Sequence, residues 1–258
     1  MTTDIDYITK HPLFKERSFA EASKSVIDVC NNIPFSERWE KETPPFATAI
    51  LRHFEHKEGI ILDYGTGVGR LAKEIIKQNE TVEVVGVDDS LVQLTHAKNY
   101  VDSPRFSAVL PTQLTKHVDL VFCVYVLQHI PAVSLREAIT RMHYWLRPGG
   151  KLVLCTAFAR MAPRYDKHLT FFDDRMLGVN IRAEVERLFE PVGDLFTAEE
   201  LAKNEIVRRM VEGDDGRPVP KPDKRFGLEH PAIVYTRREI NTVYFDVSFP
   251  EWYIEGDM

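Results

Sequence analysis

The sequence predicts an α/β fold: a doubly wound, mostly parallel sheet, with helices before it and an insertion or cap after it. Three observations carry this reading. From residue 59 onward, short apolar runs alternate with amphipathic segments, as strands alternate with crossover helices. The runs are apolar nearly throughout, which is the pattern of strands buried on both faces. A glycine-rich turn, with Gly65, Gly67 and Gly69 at alternate positions, separates the first run from the first amphipathic segment.

The elements follow in order. Residues 18–31, "SFAEASKSVIDVCN", place Phe19, Ala22, Val26, Ile27 and Val29 at roughly helical spacing. "IPFSERWEKETPP" breaks that pattern, and Pro44 and Pro45 suit the first turn of a second helix, "FATAILRHF", since proline is tolerated there. Residues 1–56 thus read as an N-terminal helical segment. The core, 57–156, holds the strands "GIILDY", "VEVVGVD", "RFSAVL", "VDLVFCVYV" and "KLVLCTAFA". Between them lie the helices "GRLAKEIIKQN", "SLVQLTHAKNYV" and "AVSLREAITRMHYWL", the last with Leu135, Ile139, Met142 and Leu146 on one face and "RPGG" to end it. Residues 157–230 read as an insertion or cap, with a Gly/Pro/Asp-rich loop in which Pro218, Pro220 and Pro222 oppose regular structure. Residues 231–258 complete the core. There "TRRE", Thr236 to Glu239, has the capping-box pattern of a short helix, and a hairpin of "AIVYTR" with "TVYFDVS" is the alternative.

Composition narrows the function. No apolar run approaches the ~20 residues that span a bilayer, and the N-terminus has neither the basic nor the apolar region of a signal peptide. Cys30, Cys123 and Cys155 are odd in number and far apart, which gives no zinc spacing or disulfide framework and fits a cytoplasmic protein. The formal charge is −6 with no dense basic tract, and that weighs against a nucleic-acid partner. Asp166, His168, Asp173 and Asp174 lack a metal-ligand spacing and read as a polar face, so no metal site is expected.

Ligands of doubly wound sheets sit at the carboxyl ends of the strands, so the turn after Asp63 is the first candidate site. Its spacing is not that of a dinucleotide fingerprint, because Arg70 stands where GxGxxG needs its last glycine. No GK[ST] follows, which removes the P-loop. The pattern is DxGxGxG. An acid two residues before the first glycine would repel a pyrophosphate and suits a cationic ligand.

Here the sequence resembles the class I S-adenosylmethionine-dependent methyltransferases, over roughly residues 59–156. "LDYGTGVG" is similar to the family's glycine-rich first motif and "VVGVDDS" to its second. "VDLVFCVYVLQHIP" is similar to the fourth-strand motif of the small-molecule branch, and "LRPGGKLVL" to the turn into strand five. The resemblance implies a Rossmann-like core and S-adenosylmethionine as cofactor. It puts Asp63 near the amino acid head, through the amino group or a bridging water, and lets Gly65 and Gly67 pass against the cofactor. Asp88 would accept both ribose hydroxyls, and fits the motif better than Asp89. No acid follows strand three, so backbone at Val109 and Leu110 is left to read the adenine. Cys123 ends strand four, where backbone touches the cofactor, or is a small buried residue.

His129 follows strand four, where it would serve as general base toward an acceptor hydroxyl or merely orient it, and Tyr125 would line the same pocket. Trp39 and Phe46 either face the sulfonium by cation–π attraction or pack in the core. Arg38 pairs with the cofactor carboxylate or is a solvated charge. Asp119 reads as structural. The place after strand four reads "CVYV" rather than [DN]PP[YF], which with the acidic charge points to a small-molecule or sugar-like acceptor. The alternatives are a protein acceptor, or a catalytically silent module that binds the cofactor or a partner.

Overall fold

Apolar residues that alternate between two faces of a strand need cover on both, and the fold supplies it with helices on each side of one sheet. The computed structural model of the chain describes residues 35–127, 130, 132–156, 181–212 and 232–239. In chain order these form α1 (Phe35–Arg52), β1 (Gly59–Tyr64), α2 (Arg70–Gln78), β2 (Val82–Val87), α3 (Leu91–Val101), β3 (Phe106–Val109), β4 (Val118–Val124), α4 (Ala132–Trp145) and β5 (Leu146–Cys155). They continue with α5 (Ile181–Glu186), β6 (Phe189–Asp194), α6 (Ala198–Lys203), α7 (Glu205–Glu212) and β7 (Ala232–Arg237).

The sheet has seven strands in the order β3-β2-β1-β4-β5-β7-β6. The first five are parallel, β7 runs antiparallel to β5, and β6 antiparallel to β7. This is the Rossmann-like arrangement of methyltransferases. The chain reverses its direction of travel across the sheet between β1 and β4, which opens a crevice at their carboxyl ends. On one face Leu62, Val121, Cys123, Leu152 and Leu154 pack under α4, whose Leu135, Ile139, Met142 and Trp145 are buried. On the other, Ile61, Leu120, Phe122, Val153 and Cys155 lie beneath Phe46 and Ile50 of α1 and Leu71 and Ile75 of α2.

Asp119 locks the opposite end of the sheet. Its carboxylate accepts the Ile60 N–H at 2.8 Å and pairs with Arg147. A Cβ on Gly59 would lie 2.4 Å from Asp119 Oδ2, so this residue is structural.

Three elements differ from expectation. α1 is already helical at Phe35 and runs through Pro44 and Pro45 instead of starting at them. Tertiary ties hold the turn that the prolines weaken: Arg70 pairs with Glu42 at 2.9 Å and hydrogen-bonds Thr43. Residues 181–212, expected within an insertion or cap, supply β6 to the sheet and bury Ile181, Val185 and Phe189 on one face and Leu195, Phe196 and Val207 on the other. "TRRE" does not start a helix, because β7 runs through Thr236 and is paired on both sides. Its Ile233 to Tyr235 are all buried, and that burial overrides a local capping signal. "TVYFDVS" and the 18–31 helix lie outside the described residues. Among the described residues, no helix is long and apolar enough to cross a membrane.

Candidate functional site

The turn between β1 and α2 is built from left-handed backbone. Gly65, Gly67 and Gly69 have φ of 75°, 52° and 78°, a region that costs other residues ~1–2 kcal/mol each. Gly65 and Thr66 both donate to the carbonyl of Val87, at 2.7 and 3.0 Å, which ties the turn to the end of β2. The three glycines do different work. A Cβ on Gly65 would lie 2.4 Å from the Val126 side chain in the loop after β4, and one on Gly69 2.7 Å from Val101. A Cβ on Gly67 meets nothing within 4 Å. Gly67 therefore presents bare backbone to open space, the cradle that a cofactor held against this turn requires.

A contrast between two variants follows. Gly65→Ala is expected to lower stability by about 2–4 kcal/mol, from left-handed strain plus the collision with Val126. Gly67→Ala should cost only about 1–2 kcal/mol of stability but lose cofactor affinity, because its methyl enters the open cradle. Thermal melting and calorimetric titration read the two effects separately.

Two carboxylates flank the cradle. Asp63 lies at the end of β1, 5% exposed, and its Oδ2 accepts the Thr66 hydroxyl at 2.8 Å. Burial pushes its carboxyl up to about 7; the Thr66 hydrogen bond and the Arg70 charge oppose that rise, and the Asp88 charge adds to it. Asp88 follows β2. Its Oδ2 accepts the Gly67 N–H at 3.0 Å and its Oδ1 the Ser90 N–H at 2.9 Å. Burial raises this carboxyl to about 6, against the pull of those backbone donors. A carboxylate has about four acceptor positions, so capacity remains for hydroxyl donors. Asp89 turns elsewhere, within electrostatic reach of Arg141 and Glu137 on α4.

The donor set fits S-adenosylmethionine: a bare-backbone cradle, a buried acid for an ammonium, and a half-buried acid for a diol. Val109 ends β3 half-buried. Both main-chain groups of Leu110 are engaged by Gln113, its N–H by the Gln113 side chain at 3.0 Å and its carbonyl by the Gln113 N–H at 2.9 Å. The Cys123 thiol points into the core beneath α4, and burial raises its pKa.

Tyr125, directly after β4, has φ 61°, a strained value of the kind found at functional sites. Its N–H donates to the Cys155 carbonyl at 2.7 Å. Its ring meets Phe46 edge-on at 6.0 Å, and its hydroxyl is buried. Phe46 is fully buried and packs edge-on against Phe196 at 4.9 Å, which is core packing. Arg38 and Trp39 belong to the first turns of α1, and their side chains lie outside the description, as does His129. The Asp166 to Asp174 group also falls outside the described residues.

Sequence reasoning missed Thr66, Arg70, Glu42 and Thr43. Thr66 had a signal, a hydroxyl three residues after the acid it serves. The Glu42–Arg70 pair spans 28 residues and left none.

The methyltransferase-domain family matches residues 37–204, well over half of the chain. A carboxy-S-adenosyl-L-methionine synthase of Nautilia profundicola is 30% identical over 96 residues, covering 36% of this chain and 39% of that protein. An uncharacterized methyltransferase of Anoxybacillus flavithermus is 31% identical over 117 residues, 42% of this chain and 53% of that one. The chain thus spans between about a third and a half of the length of the curated relatives it matches. Among solved structures, the PH0226 protein of Pyrococcus horikoshii superposes with a TM-score of 0.53 at 16% identity, over 87% of this chain and 100% of that one. With its sheet order, its glycine turn and this match, the chain belongs to the class I S-adenosylmethionine-dependent methyltransferase domain family.

Proposed function

We propose that this chain methylates a small-molecule or sugar-like acceptor at oxygen or nitrogen. The observation that carries the reading is the intact constellation of Asp63, Gly67 and Asp88 at the switch point of the sheet. Asp63 would receive the ammonium of the cofactor and Asp88 the ribose hydroxyls, and Gly65 and Gly67 would let backbone pass against it. When bound, S-adenosylmethionine supplies an electrophilic methyl group on a sulfonium. The chain's own residues then bind, orient and exclude water. Tyr125, in left-handed backbone directly after β4, is the residue assigned here to the acceptor side, and His129, four residues further along the sequence, is the candidate base toward a hydroxyl acceptor. The "CVYV" stretch and the −6 charge favour a small acceptor over nucleic acid.

A cofactor-consumption assay over a panel of metabolites, sugars and peptides tests this. Formation of the demethylated cofactor with one acceptor class supports the reading, and His129→Ala then reports whether that acceptor needs a base. Stoichiometric binding without product on any acceptor favours the silent module. The control with cofactor alone matters, because one curated relative is named for making a carboxylated form of the cofactor.

A further inference from the structure

Thr66 sits between the glycines of the turn, buried, and every polar group it carries is engaged. Its N–H donates to the Val87 carbonyl at 3.0 Å, and its carbonyl accepts the Gly69 N–H at 2.8 Å. Its hydroxyl donates to Asp63 Oδ2 at 2.8 Å. The side chain reaches Asp63 through a gap in β2. Gly86 is the register partner of Asp63 on that strand, and residues in register on neighbouring strands project from the same face of a sheet. A Cβ on Gly86 would lie 2.8 Å from Thr66 Oγ1 and 2.9 Å from Thr66 Cβ. The side chain missing beside Asp63 thus leaves the slot that Thr66 fills, from three residues further along the chain.

The main chain and the side chain of Thr66 do separable work. The main-chain bonds at 65, 66 and 69 fix the turn whatever side chain stands at 66. The hydroxyl acts on the carboxylate. Asp63 is buried, and among the described residues no hydrogen bond but that of Thr66 reaches its carboxylate. A carboxylate held by one oxygen is fixed in rotation, and its second oxygen stays available to an incoming donor. Without that hold, binding itself has to select the orientation, which costs affinity.

We propose that Thr66, seated in the slot left by Gly86, is a positioning residue for the amino acid head of the cofactor: its hydroxyl engages Asp63 Oδ2 and so presents Oδ1 to the ammonium. The proposal rests on the reading that Asp63 receives that ammonium.

Two ligands separate this role from support of the turn. S-adenosylhomocysteine carries the amino acid head; 5′-methylthioadenosine has the same adenine, ribose and sulfur without it. Calorimetric titration of both at pH 9, where Asp63 is ionised, compares wild type with Thr66→Val, which keeps the volume and loses the donor. Thr66→Ala is the second variant should valine not fold, and Thr66→Ser returns the donor. The expected result is about tenfold weaker binding of S-adenosylhomocysteine, with 5′-methylthioadenosine changed by less than about twofold. Thr66→Ser restores the wild-type affinity, and on an Asp63→Ala background Thr66→Val costs nothing further. Equal losses for both ligands, or losses additive with Asp63→Ala, are what a loosened turn gives and overturn the proposal. Unchanged or tighter binding of S-adenosylhomocysteine by Thr66→Val overturns it too. A wild-type protein that binds neither ligand overturns the cofactor reading itself, and this proposal with it.

Discussion

Asp63→Asn is expected to melt at a higher temperature than the wild type at pH 8 while binding S-adenosylmethionine more weakly. Burial is the main reason the Asp63 carboxyl rises from 3.8 to about 7 in the folded chain. An unfolded chain releases that proton near pH 4. Between those values the native state holds a proton that the unfolded state has lost, so stability is highest below about pH 4 and declines as pH rises toward about 7. Above pH 7 the full penalty is present, at most about 4 kcal/mol. Asparagine has no charge to bury, and its amide oxygen still accepts the Thr66 hydroxyl. A gain of ~2 kcal/mol at pH 8 corresponds to roughly 4–8 °C in scanning calorimetry. At pH 4 the difference should vanish. Cofactor affinity should fall by roughly 10- to 150-fold, the worth of one charge-assisted hydrogen bond. A variant that melts lower than wild type at pH 8 removes this account.

Asp88→Ala is expected to weaken cofactor binding by a further route and a similar factor, roughly 10- to 150-fold, for loss of one charge-assisted bond and more if both ribose contacts go. The carboxylate also accepts Gly67 and Ser90 N–H groups, so alanine releases the turn from the end of β2 as well as removing the ribose acceptor. Wild-type affinity should decline below about pH 6 as Asp88 takes up its proton, and this limb should be missing from the variant. Unchanged affinity by calorimetric titration would refute the ribose assignment.

The parallel half of the sheet was legible because central strands are apolar on both faces and are flanked by helices with clear periodicity. The glycine turn was legible because its chemistry is local: an acid, three glycines and a second acid one strand later. What escaped was long-range. β6, "FEPVGD", buries only Phe189 and carries Pro191 and Gly193, so nothing in its pattern announces a strand, and an edge position is where proline is tolerated. α1 was expected to start at Pro44 because the ties that continue it backward come from Arg70, far along the chain. The same distance hid Glu42 and Thr43 from the site.

The sheet order also sets a schedule for folding. β6 precedes β7 in the chain yet its neighbour in the sheet is β7, so β6 has no template until β7 has paired with β5. At ~5–20 residues per second, synthesis of the roughly 40 residues between them takes several seconds. During that interval Phe189 and Phe196, both buried in the finished fold, have no completed sheet to cover them. A nascent chain of this protein thus carries a sticky, unpaired segment while those residues emerge, and that window is where chaperone capture or misassociation would act.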